Sequence, residues 1–272
     1  MITGNSRACV TFDLWDTLIF DEPEQDEARG RLRYEGLQHA MADGGIQLSV
    51  ADLKRAYEES ALRFQEVWRK NDEVTIPEQV HLIIELAMGR SMTIDPDFAR
   101  TLEKAYVEPI LTIPPQLNDD ALAVLEELTR RGYKLGLISN TGRSPGEALR
   151  RLLQTFGILK FFEATLFSNE VQRRKPDKTI FDQAARLLHT ESHDMVHVGD
   201  DPEADIWGAS QIGIRTILLD QTKTDLSRWR PDSLYVLAKA NRRASLDIRP
   251  DRRVNSLREV LGAVEALLPK VV

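Results

Sequence analysis

Cysteine is almost missing from these 272 residues, with Cys9 the only one. An intramolecular disulfide is therefore impossible, and a cysteine-based metal cluster is excluded. No apolar run approaches the roughly 18 residues that a membrane-spanning helix needs. The N-terminus has no basic region followed by an apolar stretch, so no secretory signal is expected, and a reducing, cytoplasmic setting is the expectation. Positive charge is also short: 36 Lys and Arg face 43 Asp and Glu, a formal net charge of −7. Such a balance argues against a nucleic-acid partner. The local cluster Arg242, Arg243, Arg249, Arg252 and Arg253 reads as a solvated face or a partner surface. Internal repeats and low-complexity tracts are absent, and nothing indicates the oligomeric state. What is present is an ordinary globular composition on a chain long enough for a large core or a core with an inserted module.

The stretch Val10-Thr11-Phe12-Asp13-Leu14-Trp15-Asp16-Thr17-Leu18 organises the rest. Val10 and Phe12 suit a buried parallel strand, and Asp13 falls where that strand should end. Alone, such an Asp is better explained as a helix N-cap or turn residue. In open α/β sheets, however, ligands lie outside the carboxyl ends of the strands, where this Asp would face the crevice.

Residues 20–112 read as helices without a strand. Asp21-Glu22-Pro23-Glu24 has helix-start chemistry, and a helix follows to about Ala42 before Gly44-Gly45. Val50, Leu53, Tyr57, Ala61, Phe64 and Trp68 recur at helical spacing behind Ser49 as N-cap. Further helices are expected at 77–88 and from Asp95-Pro96 through Tyr106. One strand cannot make a sheet, so this block interrupts an α/β core that must resume. Ile113-Pro114-Pro115 would serve as a hinge or linker. From there helices at 119–131, 145–155, 177–188 and 202–211 alternate with strands at 133–138, 164–167, 195–198 and 216–219. That alternation indicates β-α-β units and a Rossmann-like parallel sheet. Residues 221–250 are less legible, with a short helix at 233–240, and a final helix spans 257–268.

Three later strand ends carry chemistry. Ser139-Asn140 precedes Thr141-Gly142, a turn whose hydroxyl and backbone N–H groups suit phosphate oxygens. Lys175-Pro176 precedes a helix, with Arg173 and Arg174 before it. A mobile ammonium there could neutralise developing negative charge. Gly199-Asp200-Asp201-Pro202-Glu203-Ala204-Asp205 offers a tight strand-to-helix turn and hard oxygen ligands of the kind Mg²⁺ prefers. Asp201 and Glu203 also suit the positive end of a helix.

Asp13 with Thr17, then Ser139, then Lys175-Pro176, then Gly199-Asp200 with Asp205 and Gly208-Ala209, resemble the four motifs of the haloacid dehalogenase superfamily in order. The resemblance implies an α/β core at 1–19 and 113–272 and a helical cap domain at 20–112. It implies a Mg²⁺-dependent phosphohydrolase in which Asp13 is the nucleophile and Lys175 a catalytic cation. Thr17, Ser139 and Asn140 would hold a small phosphorylated substrate. Asp13, Asp200 and the backbone carbonyl of Trp15 would bind the metal, and Asp205 would orient Lys175. One departure matters: Trp15 stands where the family's phosphatases carry a second Asp that works as acid and base. Asp16 is adjacent but, as neighbouring side chains diverge, is not expected to substitute. An aromatic residue at that position is a feature of the family's metal-free dehalogenases, so a 2-haloacid dehalogenase is the alternative reading. A non-catalytic phospholigand-binding protein is a third. The acids Asp200 and Asp205 favour the phosphohydrolase.

Overall fold

The computed structural model describes residues 8–221, 225–239 and 248–268. Its strands are β1 (Cys9–Phe12), β2 (Ile19–Phe20), β3 (Gln116–Leu117), β4 (Lys134–Ser139), β5 (Ala164–Phe167), β6 (Met195–Gly199), β7 (Arg215–Leu219) and β8 (Arg252–Val254). Six of them form one parallel sheet in the order β5-β4-β1-β6-β7-β8, the α/β architecture expected from the alternating pattern. Strand order runs outward in both directions from β1, which pairs with β4 on one side and β6 on the other. This reversal opens a crevice at the carboxyl ends of β1, β4 and β6, where Asp13, Asn140 and Asp200 follow directly.

Both faces of the sheet are covered, and side-chain alternation divides them. Val10, Phe12, Leu135, Leu137, Val196 and Val198 point into one apolar cluster. Cys9, Ile138, Leu166 and Met195 point into the other. Two-sided burial explains why β1 carries apolar residues on both faces, with Thr11 its one polar side chain. Cys9 is buried, and that burial pushes its thiol up to about 12.

Between β2 and β3 the chain carries only helices: α1 (Pro23–Asp43), α2 (Val50–Trp68), α3 (Ile76–Met88), α4 (Pro96–Val107) and the short α5 (Pro109–Thr112). Ser49 caps α2 by accepting from the Asp52 N–H, as its sequence predicts. Thr75 and Glu78 close a capping box on α3. These helices have a core of their own, built on Leu37, Met41, Leu53, Ile83, Ile84 and Leu102. After Ile113-Pro114-Pro115, expected as a hinge or linker, the chain passes directly into β3, which pairs antiparallel with β2. The entry and exit of the helical block are thereby tied together.

The second half continues with α6 (Ala121–Arg130), α7 (Gly146–Thr155), α8 (Ser168–Val171), α9 (Lys178–Leu187), a π-helical turn (Pro202–Trp207) leading into α10 (Gly208–Ser210), α11 (Leu234–Lys239) and α12 (Val260–Leu267). The strand β8 has no counterpart in the expected pattern. It is an edge strand in which Arg252 and Arg253 are exposed and only Val254 is buried, so no alternation marks it. It also assigns part of the arginine cluster: Arg253 bonds Asp220 at the sheet edge, while Arg242 and Arg243 lie outside the described residues. Among the described residues no helix is long and apolar enough to cross a membrane.

Candidate active site

Asp13 is held at the end of β1 by its own N–H, which donates to the Val198 carbonyl at 2.9 Å and prolongs the β1–β6 pairing. Lys175 meets it from the other side of the crevice. The Lys175 ammonium donates to Asp13 Oδ1, to Asp205 Oδ1 (both 2.6 Å) and to the Ile138 carbonyl (2.7 Å). Three acceptors match its three hydrogens, so the buried cation is fully satisfied. Its position is fixed by Asn140, whose Oδ1 accepts from the Lys175 N–H at 2.7 Å while its Nδ2 donates to the Lys175 carbonyl at 2.9 Å.

Asp205 lies behind the pair and is itself locked in place. It accepts from the Asp201 N–H at 3.0 Å and contacts His197 Nε2 at 3.2 Å. His197 in turn reaches the Thr11 hydroxyl at 2.9 Å across the β1–β6 register. A Cβ on Gly199 would sit 2.2 Å from Asp205 Cγ, so only glycine admits the carboxylate here. Asp201 caps the following turn, accepting from the Glu203 and Ala204 N–H groups.

Burial sets the electrostatics. It pushes Asp13 up to about 7, with Asp205 adding to the rise and Lys175 opposing it. Asp200 is also raised, first by burial, against the pull of Lys239. Burial works the same way on Asp205, but Lys175 and His197 outweigh it and hold this carboxyl well below the usual range. Lys175 is raised because Asp13 and Asp205 overcome the burial that would lower it. His197 is lowered by burial and so is neutral near pH 7.

The structure gathers Asp13, Asp200 and Asp205 so that one carboxylate oxygen from each lies within 4.8 Å of the others. All are hard oxygen donors, which suits Mg²⁺. The place is also one that takes positive charge: Lys239 of α11 donates to Asp200 Oδ2 at 2.6 Å and to Asp16 Oδ2 at 2.7 Å. Tyr235 donates to the same Asp16 oxygen at 2.7 Å.

Asp13, Trp15, Asn140, Lys175, Asp200 and Asp205 all line one cavity of about 910 Å³. Ser139 and Thr17, expected to hold substrate, are fully buried and not among its lining residues. The Ser139 hydroxyl donates to the Asn140 carbonyl instead, and Thr141 takes the place on the wall. Asn140 reaches the cavity with both ends of its amide engaged by Lys175, so it positions that residue. Asp16 was expected to diverge from the site; a left-handed φ of 57° turns the chain there, and Asp16 joins the cavity wall. His197 and Lys239 were missed. The first was hidden inside an apolar strand, and its only signal was a histidine two residues before Gly199. The second lay in the illegible stretch, and only folding brings it back.

A family model described as haloacid dehalogenase-like hydrolase matches residues 8–213. The chain is 28% identical over 160 residues to a ribulose-1,5-bisphosphate 5-phosphatase of Halopiger xanaduensis, covering 59% of each. It is 27% identical to a glyceraldehyde 3-phosphate phosphatase of Methanopyrus kandleri, covering 95% of this chain and 97% of that one. The fold is shared with a 2-haloacid dehalogenase of Pseudomonas syringae, at a TM-score of 0.61 and 21% identity over 96% of this chain and 98% of that one.

Proposed function

This chain belongs to the haloacid dehalogenase-like hydrolases, and we propose that it is a Mg²⁺-dependent phosphohydrolase working through Asp13. The observation that supports this best is the Lys175 ammonium, 2.6 Å from both Asp13 and Asp205, with Asp200 completing the carboxylate group. The phosphatase names of the two curated relatives point the same way.

In this reading an Asp13 oxygen attacks phosphorus, the new O–P bond forms, and the bond to the leaving oxygen breaks. Water then attacks the aspartyl-phosphate, releasing inorganic phosphate and restoring the carboxylate. Asp13, Asp200 and the Trp15 carbonyl would hold Mg²⁺, which would supply charge neutralisation for the phosphoryl oxygens. Lys175 holds one Asp13 oxygen in place and stabilises negative charge beside it. Asp205 and His197 keep Lys175 from turning away. The helical block of residues 20–112 acts as the cap that excludes water from the intermediate.

Trp15 cannot protonate a leaving oxygen, and general acid–base help is worth ~10²–10⁴-fold. Rates should therefore fall steeply with leaving-group pKa, favouring aryl or acyl phosphates over alkyl ones. Phosphate release across a leaving-group series, with Mg²⁺ and with chelator, tests the reading. Full activity in chelator, or equal rates on alkyl and aryl esters, would overturn it. A second reading has one observation in its favour. Lys239 donates to Asp200 and gives it a counter-charge from the chain itself, which attack on carbon, as in a 2-haloacid dehalogenase, would tolerate. Halide release from 2-haloacids in chelator would establish that reaction instead.

A further inference from the structure

Two of the four buried guanidinium groups in the wall of the cavity pair with no carboxylate among the described residues. Arg33 on α1 is 3% exposed, and Arg143, in the loop after β4, is 6% exposed. The other buried arginines of this wall are neutralised: Arg29 pairs with Asp21 and Arg174 with Glu73. Arg33 instead donates to the Tyr106 carbonyl (3.2 Å), the Tyr57 hydroxyl (3.3 Å) and the Ser144 hydroxyl (3.0 Å). Arg143 donates to the Tyr106 hydroxyl (2.6 Å), the Tyr57 carbonyl (2.7 Å) and the Ser60 hydroxyl (3.1 Å), with its guanidinium 3.7 Å over the Tyr57 ring. Two acids bear on Arg33 at longer range, Asp21 and Asp26, and both are turned to Arg29 instead. Among the described residues no carboxylate forms an ion pair with Arg33 or Arg143.

Burying an uncompensated charge is costly, and carbonyl and hydroxyl partners do not require one. A neutral donor would clamp α1 and α2 to the loop after β4 as well. The same two tyrosines hold both arginines, so the two forks share one neighbourhood. Arg33 and Arg143 each have donors left over beyond the bonds described. A planar fork with spare donors matches a carboxylate or phosphate.

We propose that Arg33 and Arg143 form a second anion subsite in the cavity, so that the substrate carries a carboxylate or further phosphate besides the ester that Asp13 attacks. The ester part of this statement rests on the phosphohydrolase reading; the subsite does not.

Non-hydrolysable ligands separate the two. Binding of propylphosphonate, 3-phosphonopropionate and propane-1,3-diphosphonate to the full chain with Mg²⁺ would be measured by calorimetry. A charged hydrogen-bonded contact should favour the doubly anionic ligands by about tenfold or more. Preference for the carboxylate or the second phosphonate identifies which anion the subsite takes. In Arg33→Gln and Arg143→Gln the advantage should shrink toward onefold. Arg143→Lys, which keeps the charge and loses the fork, should retain part of it and covers the case in which the glutamine variant does not fold. Equal affinity of all three ligands for the unmodified protein overturns the subsite, whatever the variants do. Turnover of phenyl phosphate and 4-carboxyphenyl phosphate completes the test. Selective binding without turnover of either ester leaves the subsite standing and removes the phosphohydrolase reading. Turnover of both at equal kcat/KM with equal binding does the reverse.

Discussion

Asp13 must be ionised to attack, yet burial favours its neutral form and raises it to about 7. The sign of the stability effect follows. Between about pH 4 and 7 the unfolded chain has lost this proton while the folded chain keeps it. The stability from this group is therefore complete below its unfolded value and is lost as pH rises through about 7. In chelator, Tm should fall over that interval more steeply in the unmodified protein than in Asp13→Asn. The same variant should lose turnover by ~10³-fold or more if Asp13 is the nucleophile. A flat difference between the two melting profiles, or near-normal rates, would contradict these expectations. Gly199 is the second decisive residue. A methyl group there collides with Asp205, so Gly199→Ala should cost ~1–3 kcal/mol and loosen Lys175. Unchanged Tm and kcat would show that Asp205 has room to move.

At the scale of elements, α11 matters most. It is short, yet it connects the two halves of the molecule. Trp229 stacks on Tyr235 at 4.0 Å, Arg230 pairs with Glu58 of α2, and Gln65 of α2 donates to the Leu237 carbonyl. Its last residue, Lys239, supplies the cation at Asp200 and Asp16. A divalent ion at Asp200 has to displace that ammonium or share the carboxylate with it. Lys239→Met should therefore tighten Mg²⁺ binding, by about tenfold if ~1.4 kcal/mol of competition is relieved. Without metal it should lower Tm, because Asp16 and Asp200 lose their shared counter-ion, and Mg²⁺ should recover part of the loss. Calorimetry and melting with and without Mg²⁺ read both effects. Unchanged affinity would mean that the ammonium and the ion do not compete.

Across the whole molecule, the helical block and the sheet are joined by a buried ion pair. Glu73, in the loop between α2 and α3, accepts from Arg174 at 2.7 Å and is also bonded by the Ser168 hydroxyl. Arg174 lies 4.0 Å over the Trp68 ring. Arg174 is the neighbour of Lys175, so the contact that seats the helices also steadies the site. Breaking one side of a buried pair leaves the other charge uncompensated. Glu73→Gln should cost ~3 kcal/mol, and a Tm within a degree of the unmodified protein would show that the pair adds little.

Much of this protein follows from its sequence alone. Two-sided burial made β1 a run of strand-forming residues apolar on both faces, helical spacing exposed α2, and the switch to alternating strands and helices showed where the core resumes. The acids at the ends of β1 and β6 were legible because strand ends in such sheets face the crevice. Other features arise only when distant segments meet. The strand β8 is invisible because an exposed edge needs no alternation. Ser139 and Asn140 were both expected to hold substrate, but only Asn140 lines the cavity, because backbone direction at the end of β4, which sequence does not show, decides which side chain reaches it. The carboxyls of Asp13 and Asp205 are shifted in opposite directions although they share one lysine, since burial and neighbours set them. Lys239, Arg33 and Arg143 gained their places through tertiary structure, which brought cations from separate stretches of chain to one cavity.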